Sequence, residues 1–235
     1  MPRSKARELL GLPTKLPKIL AFTNQKGGSG KSTGAVHAAD WFTQKGYSTL
    51  LVDADGQQSS SGWLKELELP CKVISDPEEL FDELPKLSDR YDIVIIDGPG
   101  NASEVTKAVL IRSHLVLIPC RDSMIDLAST GRIVQFVRQA REIRGGQPVA
   151  AVYLNAVRDN TILLREAQEA LRSGILPMLN TVLPDRQCIK DAPGQGSTVF
   201  RMKGTSPKSA ANAYTKLLIE ALKLFESESW QHDES

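Results

Sequence analysis

The chain has 235 residues, of which 41% are hydrophobic and 24% charged, and its formal net charge is +1. Such usage excludes a disordered chain and suits one α/β domain with an ample core. Cys71, Cys120 and Cys188 lie far apart, with no C-x-x-C and no paired histidine spacing. That pattern argues against a disulfide framework or a zinc site and fits a reducing cytoplasm. No apolar run approaches the ~20 residues that span a bilayer, and the basic N-terminus has no secretory apolar stretch or cleavage site.

In chain order, residues 1–18 read as a short basic arm. Arg3, Lys5, Arg7, Lys15 and Lys18 stand there against Glu8, with Pro13 and Pro17 as punctuation. Apolar runs of strand length then alternate with helix-period segments. Strands are expected over 19–23, 48–53, 93–97, 115–119 and 149–155, and helices over 31–45, 102–112, 126–144, 160–172 and 206–226. Strands apolar on both faces predict an α/β fold, a mostly parallel sheet covered by helices on both faces. One domain over 19–226 is expected, followed by an acidic tail at 227–235.

The first expected strand runs into Asn24-Gln25-Lys26-Gly27-Gly28-Ser29-Gly30-Lys31-Ser32-Thr33, and a helix follows. G-x-x-x-x-G-K-[ST] fits only with its first glycine relaxed, because position 25 is Gln; K-G-G-x-G-K-[ST] fits throughout. Gly27, Gly28 and Gly30 let backbone N–H groups around Ser29 turn toward phosphate oxygens with no Cβ in the way. The helix N-terminus at Ser32 and Thr33 adds its positive end. Lys31 suits the β- and γ-phosphates of ATP, and the Ser32 hydroxyl suits Mg²⁺. A bare glycine-rich surface turn would not need the strand before it, the helix after it and the Lys-Ser pair.

Two further strands end in acids. Leu51-Val52-Asp53-Ala54-Asp55-Gly56-Gln57 carries an aspartate pair that is costly to bury unless it faces a site. Capping of the next turn is the structural alternative, stronger for Asp53 than for Asp55. Tyr91-Asp92-Ile93-Val94-Ile95-Ile96-Asp97 is a Walker B pattern, with Asp97 expected to hold Mg²⁺ through water. Gly98-Pro99-Gly100 is expected to be a switch segment that senses the γ-phosphate.

These segments resemble the deviant Walker A ATPases of the ParA/MinD family, and the resemblance covers nearly all of residues 18–226. It implies that Lys26 is a signature lysine that reaches across an ATP-dependent homodimer, much as an arginine finger does. By the same match Asp55 positions the attacking water and Asp53 supports the Mg²⁺ region. Gly56 stands where the family's D-x-D-P-Q has proline, Gly98 where Thr or Cys is usual, and Asp122 where the segment after 115–119 usually has proline. Asn155 ends a strand where relatives recognise adenine, and Leu183-Pro184 resembles the segment that covers the base, so Asn155 and Pro184 are expected nucleotide contacts.

Between positions 186 and 223 the bases are Arg186, Lys190, Arg201, Lys203, Lys208, Lys216 and Lys223, against Asp191 and Glu220. ParA-like proteins hold DNA without sequence preference through such a surface; a solvated face is the bland reading. The resemblance implies a weak basal ATPase, stimulated by a ParB-like or other adaptor, that positions a plasmid, chromosome or other large cargo. The expected location is cytoplasmic and nucleoid-associated. MinD-like membrane docking is disfavoured, because acids dominate residues 225–235 and an anionic leaflet repels them. An iron–sulfur relative would need paired cysteines, and a tyrosine kinase relative a C-terminal tyrosine cluster, whereas the last tyrosine is Tyr214.

Overall fold

The computed structural model describes residues 11–56, 59–101, 103–158 and 160–233, with the side chains of residues 59, 124–130 and 230–233 left aside. Arg3, Lys5, Arg7, Glu8 and Gln57 therefore lie outside the described residues. Six strands form one sheet: β1 Ile19–Phe22, β2 Thr49–Asp53, β3 Cys71–Val73, β4 Ile93–Asp97, β5 Leu115–Cys120 and β6 Val149–Leu154. Their order is β3-β2-β4-β1-β5-β6, and each pairing is parallel. The helices are α1 Lys31–Gln44, α2 Ser59–Glu66, α3 Pro77–Arg90, α4 Glu104–Arg112, α5 Met124–Ile143, α6 Ile162–Arg172, α7 Gln187–Asp191 and α8 Thr205–Asp233.

Strand side chains alternate between two buried layers, as the period of two requires. Leu20, Phe22, Ile93, Ile95, Leu117 and Tyr153 pack with Val36 and Phe42 of α1, Leu64 of α2, and Tyr214 and Leu218 of α8. Ile19, Ala21, Val94, Ile96, Val116 and Ile118 pack on the opposite face with Leu80 and Leu84 of α3, Val109 of α4, and Ile133 and Val137 of α5. Both faces are covered, which is why the strands read as unbroken apolar runs.

From β1 the chain moves to one side for β2 and β3, returns to β4 beside β1, and then crosses to β5 and β6 on the other side. Ligands of open α/β sheets bind where the order reverses, in the crevice at the strands' carboxyl ends. Here that point is the end of β1, so the glycine loop emerges at its floor.

Leu12, Pro13 and Pro17 are buried, and the backbone N–H groups of Thr14 and Lys15 donate to Glu226 Oε1 at 2.6 and 3.2 Å. The described part of the arm, residues 11–18, is thus strapped onto α8. Helix α8 in turn runs past position 226 to Asp233, with Ser229 buried.

Candidate functional site

The start of the glycine loop is fixed to the neighbouring strand. Thr23 N–H donates to the Leu117 carbonyl at 3.2 Å and Asn24 Nδ2 to the Pro119 carbonyl at 2.7 Å. The loop ends at Gly30, whose left-handed backbone (φ 101°, ψ 22°) caps α1 with no side-chain acceptor. The first N–H groups of α1 are therefore left for a ligand, at the positive end of the helix. A Cβ at Gly30 would stand 2.0 Å from Asn155 Nδ2, so this position needs glycine for both its φ and its close approach.

Asn155 has a use that the sequence did not reveal. Its Nδ2 donates to the Ser29 carbonyl at 2.7 Å, bracing the loop from β6. It still lines a cavity of about 460 Å³ together with Gly28, Lys31, Thr33, Arg121, Pro184 and Arg186. Pro184 is held on that wall by a short bridge in which Val157 N–H donates to Leu183 O and Asp185 N–H to Val157 O, at 3.1 and 2.8 Å. On the other side of Lys31 and Ser32 a cavity of about 610 Å³ is bounded by Gly27, Asp55, Gly56, Pro99 and Gly100. Lys31 and Ser32 are common to both cavities.

Lys31 is buried, and its Nζ donates to the Lys26 carbonyl at 3.2 Å. Burial lowers its pKa, while Asp97 and Asp55 pull it back up. Asp97 ends β4 in register with Phe22 of β1 and Asp53 of β2. Burial raises its pKa to about 7; the Ser32 and Ser60 hydroxyls lower it, Asp53 raises it and Lys31 lowers it. Neither hydroxyl closes a hydrogen bond of normal geometry, and both Asp97 oxygens are buried without a partner. A buried carboxylate in that state calls for a cation. Magnesium commonly takes one or two carboxylates plus substrate phosphates, and Asp97 with Ser32 fits that donor set.

Asp53 was expected either to support the Mg²⁺ region or to cap the next turn, and its contacts here are those of the cap. Its Oδ1 accepts the Asp55 N–H at 3.1 Å and its Oδ2 the Ser61 N–H at 2.9 Å, in the first turn of α2. Both oxygens are committed to backbone, so Asp53 shapes the turn that presents Asp55. Gly98 also has a local reason. Its N–H donates to the Phe22 carbonyl at 2.9 Å, and a Cβ there would lie 2.8 Å from that same oxygen.

The expected DNA residues divide. Lys203, Lys208 and Lys216 are exposed, the last two eight residues apart on one side of α8. Arg186 and Lys190 line the nucleotide-side cavity instead, and Lys190 Nζ pairs with Asp185 Oδ1 at 2.6 Å. Arg201, although 38% exposed, is engaged within the chain. Its Nε and Nη2 donate to Asp40 Oδ1 at 3.0 and 2.8 Å, and its Nη1 to the Leu67 carbonyl at 3.0 Å. Ser60 and Arg121 belong to the site although no motif marks them; Arg121 follows β5 and opens on the same cavity as Lys31.

The family described as "CobQ/CobB/MinD/ParA nucleotide binding domain" matches residues 20–199. Among sequence relatives, the maintenance of carboxysome distribution protein A of Halothiobacillus neapolitanus is 28% identical over 209 residues, covering 86% of this chain and 95% of that one. The chromosome-partitioning ATPase Soj of Thermus thermophilus is 25% identical, covering 86% and 94%. Among solved structures, the Cyanothece McdA(D38A)–ATP complex superposes with a TM-score of 0.74 at 17% identity, over 87% of this chain and 96% of that one. MinD with Mg-ADP from Pyrococcus horikoshii gives 0.67 at 19% identity, over 85% and 93%. These likenesses are of fold, an α/β P-loop sheet with the same layers. With a family match over that span and a glycine loop, lysine and buried acid at one crevice, this chain belongs to the CobQ/CobB/MinD/ParA family of nucleotide-binding domains.

Proposed function

We propose that the chain is a ParA-type positioning ATPase: ATP joins two copies, the dimer holds DNA without regard to sequence, and an adaptor on a cargo stimulates hydrolysis and release. The observation that carries the reading is Asp97, buried with both oxygens unpartnered next to Lys31 at the foot of the glycine loop. In this reading the loop N–H groups and the α1 N-terminus bind the phosphates, and Lys31 offsets their charge. Ser32 and Asp97 hold Mg²⁺, which when bound neutralises and orients the phosphate oxygens. Asp55, set by Asp53, orients the attacking water in the second cavity. Lys26 reaches the partner's nucleotide, and Pro184 and Arg186 wall the base end, with Asn155 bracing the loop beneath.

Lys203, Lys208 and Lys216 are the DNA contacts in this scheme. Each monomer presents few cations, and joining two on one duplex multiplies their effect. The test is fluorescence anisotropy of two unrelated duplexes over a salt series, with ATP and with ADP. Equal binding of both duplexes with ATP and hardly any with ADP is expected, with a slope of roughly −0.9 per phosphate contacted. Equal binding in both nucleotides, or none with ATP at low salt, removes DNA from the mechanism and leaves a nucleotide switch.

A protein compartment is a second reading of the cargo. It is favoured by two relatives named for carboxysome distribution, from Halothiobacillus neapolitanus at 28% and Gloeobacter kilaueensis at 25% identity. ATPase stimulation by a purified compartment adaptor, set against a ParB-like protein, separates this cargo from a plasmid. Among the described residues no helix is long and apolar enough to cross a membrane, and sedimentation with anionic liposomes and ATP tests peripheral, MinD-like docking.

A further inference from the structure

The helix that follows the glycine loop is tied to the chain ahead of α8 by polar contacts set inside apolar core. His37 is fully buried on α1. Its Nδ1 lies 2.8 Å from the Thr33 carbonyl, and its Nε2 accepts the Val199 N–H at 3.2 Å. Tyr214 of α8 stacks on the ring, with centroids 4.4 Å apart and planes 7° from parallel. One turn further along α1, Asp40 is fully buried and accepts from Thr198 Oγ1, from Gln44 Nε2 at 3.0 Å and from the Arg201 fork. Two indoles close the same junction: Trp63 Nε1 donates to the Ser197 carbonyl at 2.8 Å and Trp41 Nε1 to Thr215 Oγ1 at 3.2 Å.

The path of the chain gives this junction its meaning. Upstream of it, Arg186, Ile189, Lys190 and Pro193 line the nucleotide-side cavity. Downstream come Lys203 and then Lys208 and Lys216 on α8. The first turn of α1, whose Thr33 carbonyl holds His37, also carries Lys31 and Ser32. The Asp40 carboxylate is fully buried while the Arg201 side chain stays 38% exposed, and such a pair is a poor choice for mere adhesion, because desolvating the carboxylate offsets much of its attraction. A planar, forked contact does fix direction and distance.

We propose that His37–Val199 and Asp40–Arg201 form the joint through which nucleotide bound at α1 sets the position of residues 203–216, and that Arg201 is a positioning residue and not a DNA contact. The proposal rests on the DNA-binding reading above for its biological outcome but not for its physical test. Nucleotide on the glycine loop acts on the first turn of α1, and the joint passes that displacement to the segment leading into α8.

The variants are Arg201→Lys, which keeps the charge but loses the fork, and Thr198→Val, which removes one donor to Asp40 and keeps the volume. Hydrogen–deuterium exchange of the full chain is measured with and without a non-hydrolysable ATP analogue. In the unmodified protein the analogue should change exchange in both the glycine loop and residues 197–204. In both variants the loop response should persist while the response at 197–204 falls by about fivefold or more, the scale of an ordinary coupling energy. Should Arg201→Lys fail to fold, Thr198→Val carries the test alone. An unchanged response at 197–204 in the variants, or none in the unmodified protein, overturns the joint. DNA binding gives the independent arm: a phosphate contact survives Arg201→Lys with its salt slope and ATP preference intact, whereas a positioning residue loses the ATP preference. If the unmodified protein binds no DNA, the DNA reading fails while the exchange result still decides the joint.

Discussion

The phosphate end of the molecule and the basic stretch from 186 to 216 both announce themselves as charge in the sequence, yet they fold by different rules. At the phosphate end each charged side chain sits at the carboxyl end of a parallel strand or at the head of α1, so its place follows from its neighbours in the motif. Lys31 and Asp97 reach one crevice because β1 and β4 pair in register. In the basic stretch the charges are spread over a loop, α7 and α8, and nothing local dictates which way each one points. Arg201 turns inward to Asp40, Arg186 and Lys190 turn to the nucleotide-side cavity, and Lys203, Lys208 and Lys216 face solvent. A motif specifies positions, whereas a charge count specifies only a balance.

The comparison can be broken most decisively at Lys31. Lys31→Ala should all but abolish ATP binding, since a buried cation serving both cavities is lost. Isothermal titration that returns an affinity near the unmodified value would undo the assignment of the phosphate end. Asp55→Ala should leave binding intact and lower kcat by roughly 100-fold, the scale for one positioning group in hydrolysis. Persistent dimer by light scattering should accompany that loss; undiminished turnover would remove Asp55 from the chemistry.

The basic stretch should answer more gently. Lys203→Ala with Lys208→Ala should flatten the salt dependence of DNA binding by about 1.8, at roughly 0.9 per phosphate contact, without touching ATP affinity. Arg186→Ala should do the reverse, weakening ATP and sparing the slope. Identical behaviour of the two variants in anisotropy and titration would mean that the stretch is one surface after all.

The smallest effect is a pH dependence of stability. Burial holds His37 at a pKa of about 4, and burial with Arg144 and Lys18 holds His114 at about 4 as well. From pH 6.5 down toward 4 the unfolded chain binds more protons at these two rings than the folded one, so their stability is full above 6.5 and drains on acidification. Asp97, raised to about 7, acts oppositely and loses stability as pH rises from 3.8 toward 7. Two losses against one gain leave a net of about 0.8 proton near pH 5, or roughly 1.1 kcal/mol per pH unit, which fades to about a quarter of a proton by pH 6.5. Urea unfolding midpoints that stay level over that window would contradict the buried neutral rings.

Much of the fold was legible because parallel strands buried on both faces leave unbroken apolar runs, and β1, β2, β4, β5 and β6 all stand where those runs were. The three-residue β3 was not, since Cys71 and Lys72 are half-buried and Val73 is exposed. Helix α3 was legible in principle. Asp76 caps it through the Glu78 and Glu79 N–H groups, Pro77 opens it, and Leu80, Leu84 and Leu87 repeat at helical spacing. In the site, the glycine loop, Asp55 and Asp97 could be read from strand-end grammar. Asn155 and Asp53 could not be read fully, because whether a polar side chain braces backbone or meets a ligand depends on atoms from distant elements. Ser29 is 126 residues from Asn155. The partnership of Asp40 with Arg201 spans 161 residues, and no local pattern announces it.

The ring of His37 has one further consequence. A carbonyl can only accept and a backbone N–H can only donate, so the Thr33 oxygen and the Val199 amide together dictate the Nδ1–H tautomer. With three histidines in the chain, the imidazole nitrogens of a ¹⁵N-histidine sample make a sparse spectrum. The Nε2 signal of this ring belongs to the bond with Val199 and the Nδ1 signal to the bond with Thr33. A single native residue is thus a two-channel NMR reporter, one channel for the head of the nucleotide helix and one for the strand of chain that leads to α8.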